Sequence, residues 1–234
     1  MTVGPSEVSF YNFPIFHGLS EPAIEEMMAA GEKLHYEADS PIIISNDKGL
    51  TFFVILDGMA KVTLHRLPEN DISLMLLKKG DFFGEMALLE NTFSRTATVM
   101  SMTELDVLVI SRDAFFDLMR KHPDLALNLA RGLGQRIRQM NERMLALTLP
   151  THKKISRTLM LVACKPPLDY PDPIVLPDLT KEEWLQFCYS NESELFDSLK
   201  DMEAAGAAKW EDGKMIILNV ANLKEFAVGI LPKK

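Results

Sequence analysis

Short apolar runs alternate with polar turns over the first half of the chain. They recur at the spacing of about 8–12 residues that is typical of small β-proteins, and they cover residues 40–45, 50–56, 60–65, 72–77, 96–101 and 104–110. Turn-forming pairs such as Asn46-Asp47, Asp57-Gly58 and Gly80-Asp81 separate them. The pattern predicts a small sandwich, barrel or roll. Short helices are predicted before it (20–30) and after it (111–121).

A long helical pattern follows this β-region. Between residues 124 and 147 apolar side chains recur every three or four positions: Leu125, Leu129, Leu133, Ile137, Met140, Met144 and Leu147. A narrow apolar seam on a long helix favours a coiled-coil-like contact between two copies. The alternative is a helix packed on its own core. Gly132 and Gly134 each cost about 1 kcal/mol in a helix interior, which predicts a close neighbour or a kink.

The last third of the chain has the pattern of a winged helix. A helix is predicted over 152–163, followed by a proline-rich loop at 165–173. Two more helical segments, 179–188 and 191–206, precede a hairpin-like segment at 207–220. A helix-turn-helix followed by a β-hairpin is typical of winged-helix domains.

Charge and cysteine content narrow the possible functions. The net charge is −8 and the pI about 5.2, so nucleic-acid binding would need a local basic patch. Cys164 and Cys188 lie in apolar segments without a CxxC spacing, which predicts reduced, buried thiols. The N-terminus lacks a basic segment followed by an apolar run, and no apolar run approaches the roughly 20 residues that span a bilayer. We therefore predict a cytoplasmic protein without membrane association.

Residues 80–99 carry the candidate chemistry. Gly84 allows close backbone approach and opens a short predicted helix from Glu85 to Leu89, whose free amides can donate to phosphate oxygens. Arg95 can pair a phosphate charge, and the Thr96 hydroxyl adds a donor. The Glu85 carboxylate can accept from a ribose hydroxyl. These groups together suit a cyclic phosphodiester on a ribose.

This segment resembles the phosphate-binding cassette of cyclic-nucleotide-binding domains, whose pattern is Phe-Gly-Glu-Leu-Ala-Leu, a short spacer, and Arg-Thr/Ser/Ala-Ala. Residues 83–89 (FGEMALL) and 95–97 (RTA) match it nearly letter for letter. Residues 40–62 are similar to the family's preceding strand–turn–strand, with Asn46-Asp47 in place of the usual Gly-Asp. The resemblance extends over about residues 13–220, and the chain is identified as a member of the catabolite-activator (CRP/FNR) family.

The resemblance implies an α+β fold in three parts. These are a double-stranded β-helix (jelly-roll-like) cyclic-nucleotide-binding domain at 1–121, a dimerisation helix at 122–148 and a winged helix-turn-helix-like domain at 149–234. A cyclic nucleotide would lie between the β-roll and the helix of a homodimer joined through residues 123–147. The implied ligand-binding residues are Gly84, Glu85, Met86, Ala87, Arg95, Thr96, Met140 and Asn141.

The preferred nucleotide stays open between cyclic AMP and cyclic GMP. Family members that bind cyclic AMP carry a Thr-Ser pair on the long helix, and Met140-Asn141 stand in those places. Asn141 suits either purine, while Met140 offers no useful hydrogen bond. Thr96 beside Arg95 is similar to cyclic-GMP-binding domains, in which the hydroxyl meets the guanine amino group. Frequency among relatives alone favours cyclic AMP.

The segment that matches the DNA-reading helix is acidic. The family's turn glycine is Tyr189, and its two arginine positions fall on Glu192 and Asp197. Residues 178–212 hold ten acidic and three basic residues, a local charge of −7. Duplex DNA should repel such a surface. Two outputs therefore compete: a DNA-binding transcription regulator, and a regulator that acts through a protein partner, with aromatic residues (Trp184, Phe187, Tyr189 and Phe196) as candidate contacts.

Catalytic and metal-binding functions find no support in the residue pattern. No nucleophile–base arrangement, paired carboxylates or phosphate-binding loop of the nucleotide-hydrolase type occurs in a plausible context. The five histidines lack ligand spacing, and no cysteine cluster of the iron–sulfur type is present. For His35 we expect an ordinary structural role. The prediction is a sensor without catalytic residues, metal or cofactor.

Overall fold

The computed structural model describes residues 10–66, 70–90, 93–163 and 173–228. The chain divides into two compact units, the first ending at Arg136 and the second beginning at Ile137. The division falls inside one continuous helix, α4 (Pro123–Leu147). Each unit is described by itself, and the three-part division of the sequence stays a prediction.

The first unit holds two short 3-10 turns, Phe10–Asn12 and Pro14–Phe16, followed by helices and strands. In chain order these are α1 (Glu21–Ala29), β1 (Gly31–Tyr36), β2 (Pro41–Ile43), β3 (Thr51–Asp57), β4 (Met59–Arg66), β5 (Asn70–Lys78), β6 (Phe82–Phe83), α2 (Glu85–Leu89), β7 (Thr98–Ser101), β8 (Leu105–Ser111), α3 (Arg112–Lys121) and α4 (Pro123–Leu147). Ser111 is the N-cap of α3, since its hydroxyl accepts a hydrogen bond from the Ala114 amide.

Two four-stranded antiparallel sheets form the β-roll, in the orders β1-β8-β3-β6 and β2-β7-β4-β5. Alternate residues of strand β3 point to opposite faces of the sheet, and each face packs in a hydrophobic core. Phe52 and Val54 pack in one core with residues of the helices, and Phe53 and Ile55 pack in the other between the sheets. This explains why β3 reads as an uninterrupted apolar run.

The apolar seam of α4 has two parts. Leu125 and Leu129 are buried in the helical core and Leu133 packs against it, as the alternative interpretation expected. Ile137, Met140 and Met144 are 60%, 55% and 67% exposed, so the apolar stripe continues onto open surface. The side chain of Leu147 lies outside the described residues. Three seam residues thus serve the core, and three lie exposed on the surface.

Gly132 makes room for an aromatic ring. A Cβ atom at this position would lie 2.5 Å from Cε1 of Phe82, which is closer than side-chain packing allows. The expected close neighbour of Gly132 is therefore Phe82. Helix α4 runs on without a break through this position.

The second unit contains a helix-turn-helix and a three-stranded antiparallel sheet. After the α4 segment from Ile137 come α5 (Thr151–Ala163), β9 (Ile174–Val175), α6 (Lys181–Cys188), α7 (Glu192–Ala204), β10 (Ala208–Glu211), β11 (Lys214–Ile217) and α8 (Val220–Val228). The sheet order is β10-β11-β9, and α8 packs against α5. Most of the predicted proline-rich loop lies outside the described residues.

Two further expectations concern the cysteines and the membrane. Burial raises the pKa of the Cys188 thiol to about 12, so this thiol stays protonated at neutral pH, whereas Cys164 lies outside the described residues. Across the described ranges, none of the helices combines the length and the apolar character that a bilayer crossing requires.

Candidate functional site

Gly84 connects β6 to α2 in a conformation that favours glycine. Its φ is +82°, in the left-handed region. A Cβ atom there would lie 2.8 Å from Nη1 of Arg95 and 2.9 Å from the carbonyl oxygen of Thr51. The predicted helix Glu85–Leu89 begins and ends as expected. Gly84 is thus required both for the turn and for the close approach of Arg95.

Arg95 is buried at the centre of the cassette, with only 7% of its surface exposed. Nη1 and Nη2 both donate to the Thr51 carbonyl at 3.2 Å, Nη1 also donates to the Gly84 carbonyl at 3.0 Å, and Nη2 to Oγ1 of Thr51 at 2.8 Å. The guanidinium lies 5.6 Å from the centre of the Phe53 ring. Burial lowers the pKa of Arg95, and the Glu85 charge opposes that shift.

Glu85 is also buried, and its partner is an arginine from α4. Nη1 of Arg136 donates to Oε1 of Glu85 at 2.7 Å. Arg136 also donates to the Phe82 carbonyl and lies 4.4 Å from the centre of the Phe82 ring. Sequence reasoning did not include Arg136 in the site. One signal was available, since Arg136 is one helical turn before the predicted ligand residue Met140 and so faces the same side of α4.

The three ionic groups of the site, of which Glu85 and Arg95 are buried and Arg136 partly buried, leave an excess of positive charge. Arg95 and Arg136 are cations, and Glu85 is the carboxylate that lies between their two hydrogen-bond networks. The acceptors that hold Arg95 are neutral oxygens of Thr51 and Gly84. Buried charges are normally paired, so a group carrying one negative charge would complete this arrangement.

The remaining predicted residues of the cassette lie beside these groups. Oγ1 of Thr96 is 3.7 Å from Sδ of Met86, and both residues are exposed. Ala87 is buried in the first turn of α2. Six predicted residues are thus brought together. Met140 and Asn141 are exposed on the α4 segment of the second unit, and their contact with a ligand stays a prediction.

The turn between α6 and α7 adopts the helix-turn-helix geometry without the family's glycine. Tyr189 takes φ 48° and ψ 48°, the left-handed conformation, and its carbonyl accepts a hydrogen bond from Nζ of Lys154 at 2.6 Å. Capping boxes begin both helices, Thr180 with Glu183 and Asn191 with Glu194. Local hydrogen bonds therefore fix the position of α7.

The exposed side of α7 carries carboxylates. Glu192, Asp197 and Asp201 are exposed, and Glu192 pairs with Lys181 at 3.1 Å. Phe196 is half-buried and packs edge-on against Trp210 of β10 at 6.2 Å between ring centres. Trp184 and Phe187 are fully buried, so these two aromatic residues belong to the core and are not available to a partner.

Comparison with known proteins agrees with this architecture. A family model for the cyclic nucleotide-binding domain matches residues 33–122. A cyclic AMP receptor protein from Thermus thermophilus is 29% identical over 126 residues, which are 54% of this chain and 58% of the length of that relative. The cAMP-activated global transcriptional regulator CRP of Salmonella typhimurium is 26% identical over 166 residues, 70% of this chain and 79% of the regulator.

A solved structure extends the likeness of fold to the C-terminal region. The c-di-GMP responsive global regulator CLP of Xanthomonas campestris matches with a TM-score of 0.72 and 17% identity, covering 86% of this chain and 100% of CLP. At that identity the match concerns the fold alone. From the cassette, the domain match and the relatives together, the chain contains a cyclic nucleotide-binding domain and is similar to cyclic-AMP-responsive regulators of the CRP type.

Proposed function

We propose that this protein is a sensor that binds cyclic AMP or cyclic GMP at the cassette and signals through a homodimer joined by α4. The observation that supports it most directly is Arg95, a buried cation held by neutral oxygens. A cyclic phosphodiester carries the single negative charge that this arrangement accommodates. Its ribose hydroxyl would meet Glu85, whose carboxylate Arg136 holds in place.

Calorimetric titration of the full chain with cyclic AMP and cyclic GMP tests the sensor. We expect saturable binding of at least one nucleotide, lost in Arg95→Ala. The matched control is Arg120→Ala, which removes an exposed arginine of α3 that pairs with Asp117 away from the cassette. Absence of binding to both nucleotides by the wild-type protein, or equal loss in both variants, would contradict the proposal.

The choice of nucleotide rests on Thr96 and on the relatives. The two relatives are described as a cyclic AMP receptor protein and a cAMP-activated regulator, which favours cyclic AMP. The exposed Thr96 hydroxyl beside Arg95 favours cyclic GMP. If cyclic GMP is the ligand, Thr96→Ala should weaken cyclic GMP binding selectively. If cyclic AMP is the ligand, the ratio of the two affinities should change little.

The path of the signal would begin at Glu85. This residue lies in the cassette and is bonded to Arg136 of α4, so a ligand that engages Glu85 also acts on the helix. The exposed Ile137, Met140 and Met144 follow directly on α4 and would form the contact between two copies. Ligand binding would thereby favour one arrangement of the dimer over another.

For the output we propose a protein partner. The exposed carboxylates of α7 occupy the surface that a DNA-binding relative would place against phosphates, and their charge disfavours that contact. DNA-binding transcription regulation is the second candidate, and the winged-helix fold and the family favour it. A gel-shift assay at physiological salt separates the two, because saturable, sequence-selective binding would contradict output through a protein alone.

A further inference from the structure

Thr51, the first residue of β3, accepts most of the hydrogen bonds that Arg95 donates. Arginine has five N–H donors; the four bonds of Arg95 start from Nη1 and Nη2, and the Nε–H group takes no part in them. Two converge on the Thr51 carbonyl, one reaches the Gly84 carbonyl and one reaches Oγ1 of Thr51. The hydroxyl bond, at 2.8 Å, is the shortest of the four. Thr51 therefore supplies three of the four bonds that orient Arg95.

The surroundings leave the arginine little freedom to adopt another position. The Phe53 ring lies beneath the guanidinium and is itself stacked on Phe83 at 4.7 Å. On another side is Gly49, where a Cβ atom would lie only 1.9 Å from Nε of Arg95. The side chain thus runs through a narrow passage to reach Thr51. The orientation of Arg95 is set before a ligand arrives.

The Thr51 hydroxyl has a proton of its own to donate. A hydroxyl is one donor and two acceptors, and in its bond to Arg95 the Thr51 oxygen is the acceptor. Accepting a hydrogen bond from a cation polarises the O–H group and makes it a stronger donor. The natural acceptor for that proton is the anion that Arg95 attracts. Backbone and side chain of Thr51 would then act on the same phosphate, one through Arg95 and one directly.

We propose that Thr51 is a ligand-binding residue of the phosphate site, which orients Arg95 and donates its hydroxyl proton to a phosphate oxygen. This inference rests on the proposed function and adds to it a residue outside the cassette segment 80–99. Because the phosphate is common to all cyclic nucleotides, Thr51 contributes to affinity and not to the choice of purine.

The test compares Thr51→Val with Thr51→Ser in calorimetric titrations of the full chain. Valine keeps the shape, the strand preference and the carbonyl but removes the hydroxyl, and we expect about a tenfold loss of affinity. The loss should be the same factor for cyclic AMP and cyclic GMP. Serine restores the hydroxyl and should bind within about threefold of the wild type. The matched control is Thr63→Val, a buried strand threonine of β4 outside the cassette.

Several results would overturn the inference. The first is that Thr51→Val binds nucleotide within twofold of the wild-type affinity or more tightly. The second is a loss of affinity for only one of the two nucleotides, and the third is that Thr51→Ser binds as weakly as Thr51→Val. Thermal melting of each variant checks folding, and Thr51→Ala serves if valine does not fold. Wild-type binding that is lost in Arg95→Ala but kept in Thr51→Val overturns this inference alone. Absence of wild-type binding overturns it together with the proposed function.

Discussion

At the scale of single residues, two glycines separate the effect of backbone strain from that of crowding. Gly84 and Gly18 both have a left-handed backbone, with φ of +82° and +77°. A Cβ atom added at Gly84 would come too close to Arg95 and the Thr51 carbonyl, whereas a Cβ atom added at Gly18 would have no neighbouring atom within 4 Å. Gly18→Ala should cost about 1–2 kcal/mol of unfolding free energy for the left-handed backbone. Gly84→Ala should cost more and also weaken nucleotide binding.

Urea unfolding and nucleotide titration of both variants check this prediction. Equal losses of stability, with binding unaffected in both, would mean that Arg95 tolerates displacement. Binding lost in Gly18→Ala would point to a general failure of folding, because Gly18 has no role in the cassette.

A histidine–aspartate pair predicts a dependence on pH. His35 of β1 lies opposite Asp106 of β8, with Nδ1 and Oδ1 2.8 Å apart. The hydrogen bond to Asp106 raises the pKa of His35 above 6.5. The stabilising contribution is therefore complete below pH 6.5 and is lost as the pH rises through the elevated pKa. NMR titration should show that Asp106→Asn lowers the His35 pKa. An unchanged value would contradict the ion pair.

The residue scale also shows what sequence reasoning misses. Gly84, Glu85 and Arg95 belong to one short segment, and their chemistry is readable from neighbouring letters. Arg136 and Thr51 join the site from 51 and 44 residues away. Their contacts depend on how β3 and α4 pack: the helical spacing from Met140 was the signal for Arg136, and the sequence around Thr51 contains none. Glu85 was expected to act on the ligand, and its bond to Arg136 was not foreseen.

At the scale of elements, local periodicity was a good guide where one face is buried. Helix α2 was predicted at its observed bounds, and α3 and α4 within one residue at each end. Strand β1 (GEKLHY) has only a weak apolar pattern, because it is an edge strand whose outward positions are charged. The two residues of β6 are too few to produce a pattern.

Helix α4 and strand β6 meet so closely that a single methyl group should matter. Alanine gains about 1 kcal/mol over glycine in a helix, but at Gly132 its Cβ would lie 2.5 Å from the Phe82 ring. Overpacking costs about 1–3 kcal/mol, so Gly132→Ala should be destabilising overall. Because Arg136 stacks on Phe82, nucleotide affinity should also fall. Urea unfolding and titration measure both effects, and a stabilised variant would contradict the predicted clash.

A second prediction for α4 concerns its C-terminal part in the second unit. The guanidinium of Arg143 lies 5.2 Å from the Phe187 ring, and burial lowers the pKa of Arg143. Its removal leaves the α6–α7 turn without this packing, so Arg143→Ala should cost about 1–2 kcal/mol of unfolding free energy. Arg138→Ala is the control, because Arg138 is exposed on the same helix. Equal stability of the two variants would contradict a structural role for Arg143.

At the scale of the whole molecule, the two units differ in the charge that they carry at the sites proposed for input and output. The buried site in the first unit has an excess of positive charge, and the exposed helix α7 of the second unit is acidic. A chain with a net charge of −8 therefore contains a site whose local charge is positive and suits an anion. Net charge alone does not reveal such a site, so the local arrangement of charged residues decides.

The homodimer is the last prediction, and it depends on apolar surface that α4 leaves open. Ile137 is 60% exposed, and a glutamate in its place would bring like charges together across a two-fold contact. Sedimentation should show a dimer for the wild type and a monomer for Ile137→Glu. Val175→Glu is the control, because Val175 is as exposed (58%) but lies on β9. Since Arg95, Glu85 and Arg136 all belong to the first unit, the monomer should still bind nucleotide. A monomeric wild type, or Ile137→Glu that remains dimeric, would place the contact elsewhere and remove α4 from the proposed signal path.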